Sequence, residues 1–131
     1  MENRVKKFDL EERLIDFALA IIEVYESLYS SFPAKHVGGQ MMRSGSSPAF
    51  NYGEAQVAES PDDFIHKMKI CLKELNETKV ALKIVIKKPL TRNVKLAEDT
   101  CKECTELISI FAKSIQTAKN NKITIKARNK H

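Results

Sequence analysis

Tryptophan is absent from this chain, and glycine and proline number only four each in 131 residues. Few breakers, few runs of alternating β-branched residues and many Lys, Glu, Leu and Ala argue for an all-helical fold. No apolar run approaches the ~20 residues that span a bilayer. The opening MENRVKKFDLEER is too charged for a signal peptide, so the expected location is the cytoplasm, with no membrane partner. Cysteine is scarce and odd in number: Cys71, Cys101 and Cys104. Without an export signal these are expected to be reduced thiols. Hydrophobic residues make up 43% of the chain, which excludes disorder, and the length fits one domain with a real core.

Acidic residues are scarce in one half only. Residues 1–78 hold 9 Lys/Arg and 13 Asp/Glu, a net of −4; residues 79–131 hold 13 and 4, a net of +9. From Lys119 onward there are five basic residues and no acidic one. This asymmetry fits a polyanion-binding face, and it fits equally a solvated surface.

Three segments show helical periodicity. Leu10, Leu14, Phe17, Ile21, Val24 and Leu28 alternate steps of four and three, and Ala18, Ile22 and Tyr25 widen the stripe. Asp9 is the expected N-cap, and Pro33 predicts an end near Ser30. Phe64, Met68, Cys71, Leu75, Thr78, Leu82 and Val85 form a second stripe, opened by Ser60-Pro61-Asp62-Asp63 and closed by Pro89. Ala97, Cys101, Cys104, Ile108, Phe111, Ile115 and Ala118 form another. Beyond Lys119 the stripe stops, which predicts a basic, flexible tail over 120–131.

Between the first two stripes lies QMMRSGSSPAFNYGEAQVAES, residues 40–60, with Gly45, Pro48, Gly53 and four serines. Local propensity reads it as a loop. Topology reads it otherwise, because three broad stripes need a fourth helix to cover them. The expectation is an up-down-up-down four-helix bundle over 1–119, with helices at about 9–30, 35–58, 61–88 and 93–119. Gly45, Ala49, Ala55 and Ala58 would then be close-packing residues, and Pro48 a kink.

QMMRSGSSPAFNYGEAQVAESPDDFIHKMKICLKELNETKVALKIV resembles the four-helix bundle proteins of the 23S ribosomal RNA intervening-sequence family. The resemblance is carried by Gln40, Arg43, Ser44, Ser47, Asn51, Glu54, Ala55, Ser60, Asp63, Phe64, Ile65, Lys67, Ile70, Leu72, Lys73, Glu74, Glu77, Thr78 and Leu82. It covers about residues 8–119, and Phe50 departs from it, standing where a smaller aliphatic is expected. The resemblance implies a four-helix protomer assembling as a homopentamer. A related branch is the accessory protein of diversity-generating retroelements, which binds reverse transcriptase and RNA.

Catalytic chemistry finds little support. Cys101-Lys102-Glu103-Cys104 is a CxxC, but no second ligand pair is suitably spaced for zinc, and both cysteines follow a core rhythm. Arg43, Asn51, Glu54, Glu74 and Glu77 are expected to form a structural or assembly network, such that Arg43→Ala disrupts folding or assembly. No nucleophile with an activating base accompanies them. The expectation is therefore a non-enzymatic protein without a cofactor or metal.

The lysines are the functional hint. Lys79, Lys83 and Lys87 recur every four residues; Lys95, Lys102 and Lys113 extend the charge; Lys126, Arg128 and Lys130 arm the tail. These are the candidate contacts for RNA or DNA. The alternative is a scaffold that docks a polymerase-type protein such as a reverse transcriptase.

Overall fold

A computed structural model describes residues 10–129; Asp9, Lys130 and His131 lie outside that range. The described residues form four helices: α1 (Leu10–Glu26), α2 (Phe32–Gln56), α3 (Pro61–Lys87) and α4 (Val94–Asn129). Each packs against the next, α4 returns to α1, and no diagonal pair packs directly. Short connections between sequential neighbours make this an up-down-up-down bundle.

α1 buries Leu14, Phe17, Ile21 and Val24, the three-and-four pattern of its sequence. Ile22 and Tyr25 were expected to widen the core face, but both are exposed. The helix also stops at Glu26, earlier than Pro33 implies. The physical reason is a competing pairing. Residues 27–29 leave the helix to bond the α3–α4 connection: Tyr29 N–H donates to the Leu90 carbonyl at 2.9 Å, and Arg92 N–H donates to the Ser27 carbonyl at 2.8 Å. The Arg92 guanidinium also lies 4.9 Å from the Tyr29 ring centre.

Pro33 opens a helix instead of closing one. Ser31 caps α2 by accepting from Ala34 N–H at 3.2 Å, and Pro33 sits in the first turn, where its missing N–H has no helical partner to lose. α2 therefore begins three residues before the expected 35. It runs unbroken through Gly45, Pro48 and Gly53, so residues 40–56 are helix despite their propensity. Most of its inward residues are small: Ala34, Gly38, Ser44, Gly45, Pro48 and Ala55 are buried, with Met41 and Tyr52 the two large residues among them. A Cβ built on Gly45 would stand 2.8 Å from Ile21 Cγ1, so α1 and α2 approach as closely as glycine allows.

α3 is capped by Ser60, which accepts from Asp63 N–H at 3.1 Å, and Asp62 and Asp63 complement its dipole. Ser44 on α2 and Thr78 on α3, both buried, share a 2.8 Å hydroxyl–hydroxyl bond. Cys71 Sγ donates to the Pro48 carbonyl at 3.6 Å.

α4 is 36 residues long, about 54 Å at 1.5 Å per residue. Asn93 caps it, accepting from Leu96 N–H at 3.1 Å. Ala97, Thr100, Cys104, Leu107, Phe111 and Ile115 are buried, while Cys101 and Ile108 are only half-buried. The helix continues to Asn129, so residues 120–129, where the sequence predicts a flexible tail, are helical. The apolar stripe ends at Ala118 because the core ends there. Helix propensity does not: Lys, Asn, Ile, Ala and Arg carry no breaker.

The close approach at Gly45 gives a test. Gly45→Val should lower unfolding free energy by at least about 2 kcal/mol, because Ile21 has no room to yield. At Gly53 nothing lies within 4 Å of an added Cβ, so Gly53→Ala should raise stability by about 0.5–1 kcal/mol. Urea titrations measure both; a Gly45→Val variant as stable as the parent would contradict this α1–α2 geometry.

Candidate functional site

The five-residue polar network read from sequence separates into three parts. Arg43 on α2 reaches across to α3, with Nη1 3.6 Å from Glu74 and Nη2 3.4 Å from Glu77; Gln40 accepts from Arg43 at 3.1 Å. Asn51 does not join them: its amide donates to the Ser47 carbonyl at 3.1 Å and to the Ser47 hydroxyl at 2.8 Å, one turn back on α2. Glu54 pairs instead with Lys67 at 3.5 Å. The Arg43 side chain is 60% exposed and Glu74 only 14%, so the pair straddles the surface of the protomer. The Arg43–Glu77 contact is a surface ion pair, worth about 0–1 kcal/mol, whereas the Glu74 oxygen that faces Arg43 is buried and accepts no hydrogen bond from the described residues. Arg43→Ala would leave that buried oxygen without its ion-pair partner, so the expected disruption of folding rests on Glu74, and a role in assembly is a separate matter.

Sequence reasoning passed over a stronger clamp. Arg13 on α1 grips Glu103 on α4 with Nε at 2.7 Å and Nη2 at 2.8 Å, and Nη2 also meets Glu106 at 2.7 Å. The hydrogen bond to Glu103 pushes the Arg13 guanidinium above its ordinary pKa, against the opposing effect of burial. Read from sequence, Glu103 has no role beyond its place inside the CxxC. The available signal was spacing: Glu103 and Glu106 repeat the E-x-x-E of Glu74 and Glu77, and each pair takes an arginine from a neighbouring helix.

The cysteines serve packing. Cys104 Sγ donates to the Leu75 carbonyl at 3.2 Å, tying α4 to α3. Burial pushes the Cys71 and Cys104 thiols up to about 12, which disfavours the thiolate that nucleophilic or redox chemistry needs. Among the described residues no group of three or more His, Cys, Asp or Glu could hold a metal ion.

The candidate basic residues occupy different faces. Lys83 and Lys87 are exposed on the outward side of α3. Helical phase joins them with Lys69 and Lys73, also exposed and not among the candidate contacts read from sequence. Lys79 is half-buried, turned roughly a quarter-turn from that row towards α4. Lys95, Lys102 and Lys113 are exposed along the outer side of α4, and Lys95 is neutralised by Asp99 at 2.7 Å. Lys126 and Arg128 lie on the last turns of α4, and Lys130 lies outside the described residues. Lys126 shares a cleft with Lys69, Lys119 and Lys122, where α4 passes the start of α3.

Two apolar surfaces are also uncovered. Ile15, Leu19 and Ile22 form an outward stripe on α1, with Leu19 53% exposed. Val80 and Ile84 line a groove of about 490 Å³ between α2 and α3, beside Arg43 and Glu77.

The two arginine clamps should differ in strength. A double-mutant cycle on Arg13→Ala and Glu103→Ala should give a coupling of about 1 kcal/mol, because the contact is bidentate and about two-thirds shielded. The same cycle on Arg43→Ala and Glu77→Ala should fall within about 0.5 kcal/mol of zero in the monomeric state. Equal couplings would contradict the geometry.

Residues 6–113 match the family described as 23S rRNA-intervening sequence protein. Among solved structures, the chain is similar to a protein of unknown function from the S23 ribosomal protein family of Bacteroides thetaiotaomicron. The two share 32% identity and a TM-score of 0.71, over 80% of this chain and 96% of that one. No curated protein matches. The matched span takes in all of α1 to α3 and over half of α4, and on that ground the chain belongs to the 23S rRNA-intervening sequence protein family.

Proposed function

We propose that the protein is a non-enzymatic, homo-oligomeric helical bundle that binds RNA or another nucleic acid through basic surfaces. The observation that carries this reading is the placement of unpaired lysines. Most of those in the second half lie exposed on α3 and α4, and among the described candidate contacts only Lys95 is held by a carboxylate. Arg13 and Arg43 are occupied elsewhere, clamped to glutamates, and Arg92 donates to the Leu28 carbonyl. Lysine ammonium groups without partners suit phosphate oxygens as point charges. Few aromatics stand among them, so contact would follow charge and shape without base stacking.

Self-association draws on the apolar surfaces. A ring of identical subunits uses two different patches, each complementary to the other. The α1 stripe of Ile15, Leu19 and Ile22 and the α2–α3 groove at Val80 and Ile84 are two such patches. A homopentamer, which the family resemblance implies, would place Arg43, Glu74 and Glu77 near the subunit boundary and repeat the lysine faces five times. The same apolar surfaces support a second reading, a scaffold docking a polymerase-type protein. No described helix is long and apolar enough to cross a membrane, and the cytoplasm is the proposed location.

Filter binding to RNA and to duplex DNA across a salt series tests the reading. Binding should weaken steeply with salt, and Lys83→Gln with Lys87→Gln should lower the log–log slope by about two. No affinity at low salt beyond that for an acidic competitor protein would overturn it. Light scattering should give five times the 14.9 kDa protomer mass, and a 14.9 kDa species would overturn the assembly.

A further inference from the structure

Where α4 outruns α3, the two helices leave a cleft of about 430 Å³. Lys69 and His66 enter it from α3, and Lys119, Lys122 and Lys126 from α4. The α4 lysines recur at steps of three and four, so one side of the helix turns all three towards α3. Four ammonium groups meet a single carboxylate, Asp62, leaving a net +3 before any charge on His66. Asp62 ion-pairs with Lys122, whose hydrogen bond holds the carboxyl below its usual range, with a smaller contribution from Lys126. Among the described residues, Lys69, Lys119 and Lys126 have no carboxylate within ion-pair distance.

A lysine face kept only for solubility spreads its charges or interleaves the opposite sign. Here unpaired like charges converge on one concave site, where they repel unless an anion enters. The side of α4 that buries apolar residues within the bundle carries Lys122 and Lys126 beyond it, so charge replaces core where the bundle ends. Asp62 already stands as an anion among these lysines, in the first turn of α3.

We propose that this cleft is a phosphate site for a nucleic-acid backbone, with Asp62 as the resident anion that an incoming phosphate displaces from Lys122. The proposal rests on the nucleic-acid reading and locates its tightest contact at the α3–α4 junction, about 20 Å along α3 from Lys83 and Lys87. Ammonium donors without an arginine fork give phosphate contact with no base readout. Binding there is indifferent to sequence and sensitive to salt.

Fluorescence anisotropy with a labelled short RNA duplex at low salt tests the site on the full-length protein. Asp62→Asn should tighten binding about fivefold. Asp16→Asn makes the same change in net charge on α1, away from the cleft, and should change it less than about twofold, since screening limits remote charges. Lys69→Gln with Lys126→Gln should weaken binding about tenfold and lower the salt slope by about two. Neither lysine makes an ion pair, so that variant should keep the parent's helix content and melting temperature. If the parent binds but Asp62→Asn matches Asp16→Asn and the lysine variant binds like the parent, the cleft is overturned and the nucleic-acid reading stands. If the parent shows no binding at low salt, both fall.

Discussion

The bundle closes because α2 is thin. Along its inward side Met41 and Tyr52 are the only large buried residues, and Ala34, Gly38, Ser44, Gly45, Pro48 and Ala55 fill the positions where the other helices bring mostly Leu, Phe, Ile and Met. Ile21 of α1 can then press against the α2 backbone at Gly45. Thr78 of α3 reaches the Ser44 hydroxyl, and the Cys71 thiol reaches the Pro48 carbonyl. A larger residue at Gly45 would push α1 outward and spread the four-sided core around Phe17, Met41, Leu75 and Phe111. The small, polar composition that makes this helix look like a loop is what lets three bulky helices pack around it.

The charge asymmetry has a structural consequence as well as a functional one. Each glutamate pair, Glu74 with Glu77 and Glu103 with Glu106, is engaged by an arginine of the acidic first half. These contacts join α2 to α3 and α1 to α4. The carboxylates of the basic half are few, and Glu103, Glu106 and Asp99 are already paired. Most lysines of α3 and α4 are therefore left facing solvent. Fold and proposed function thus draw on separate sets of charges.

Legibility in the sequence followed burial. The stripes of α1 and α3 could be read directly, because Leu14, Phe17, Ile21 and Val24, or Met68, Cys71, Leu75 and Leu82, are both apolar and buried. On α4 the rhythm was right but its phase was not: Thr100 and Leu107 take the core positions given to Cys101 and Ile108, since periodicity alone leaves a helix free to rotate slightly about its axis. Pro33 was ambiguous because one residue can stop a helix or open the next, and the Ser31 cap decides between them. The end of α4 was illegible because an apolar stripe reports where a core is, and this helix continues past its core. The polar network was illegible for a related reason. Sequence shows that Arg43, Asn51 and Glu54 share a helix with turns in common, but Asn51 can satisfy itself on Ser47 and Glu54 on Lys67, and only coordinates reveal that they do. The α3–α4 cleft needed the antiparallel register, which brings Lys69 beside residues half a chain away.

The central claim is that nucleic acid meets this protein on α3 and α4. The most direct measurement is ultraviolet crosslinking of the full-length protein to RNA, with the attached peptides identified by mass spectrometry. The account predicts crosslinks in peptides holding Lys69 and residues 119–128, with weaker ones around Lys83 and Lys87. Crosslinks confined to α1 and α2, or none at all at low salt, would contradict it.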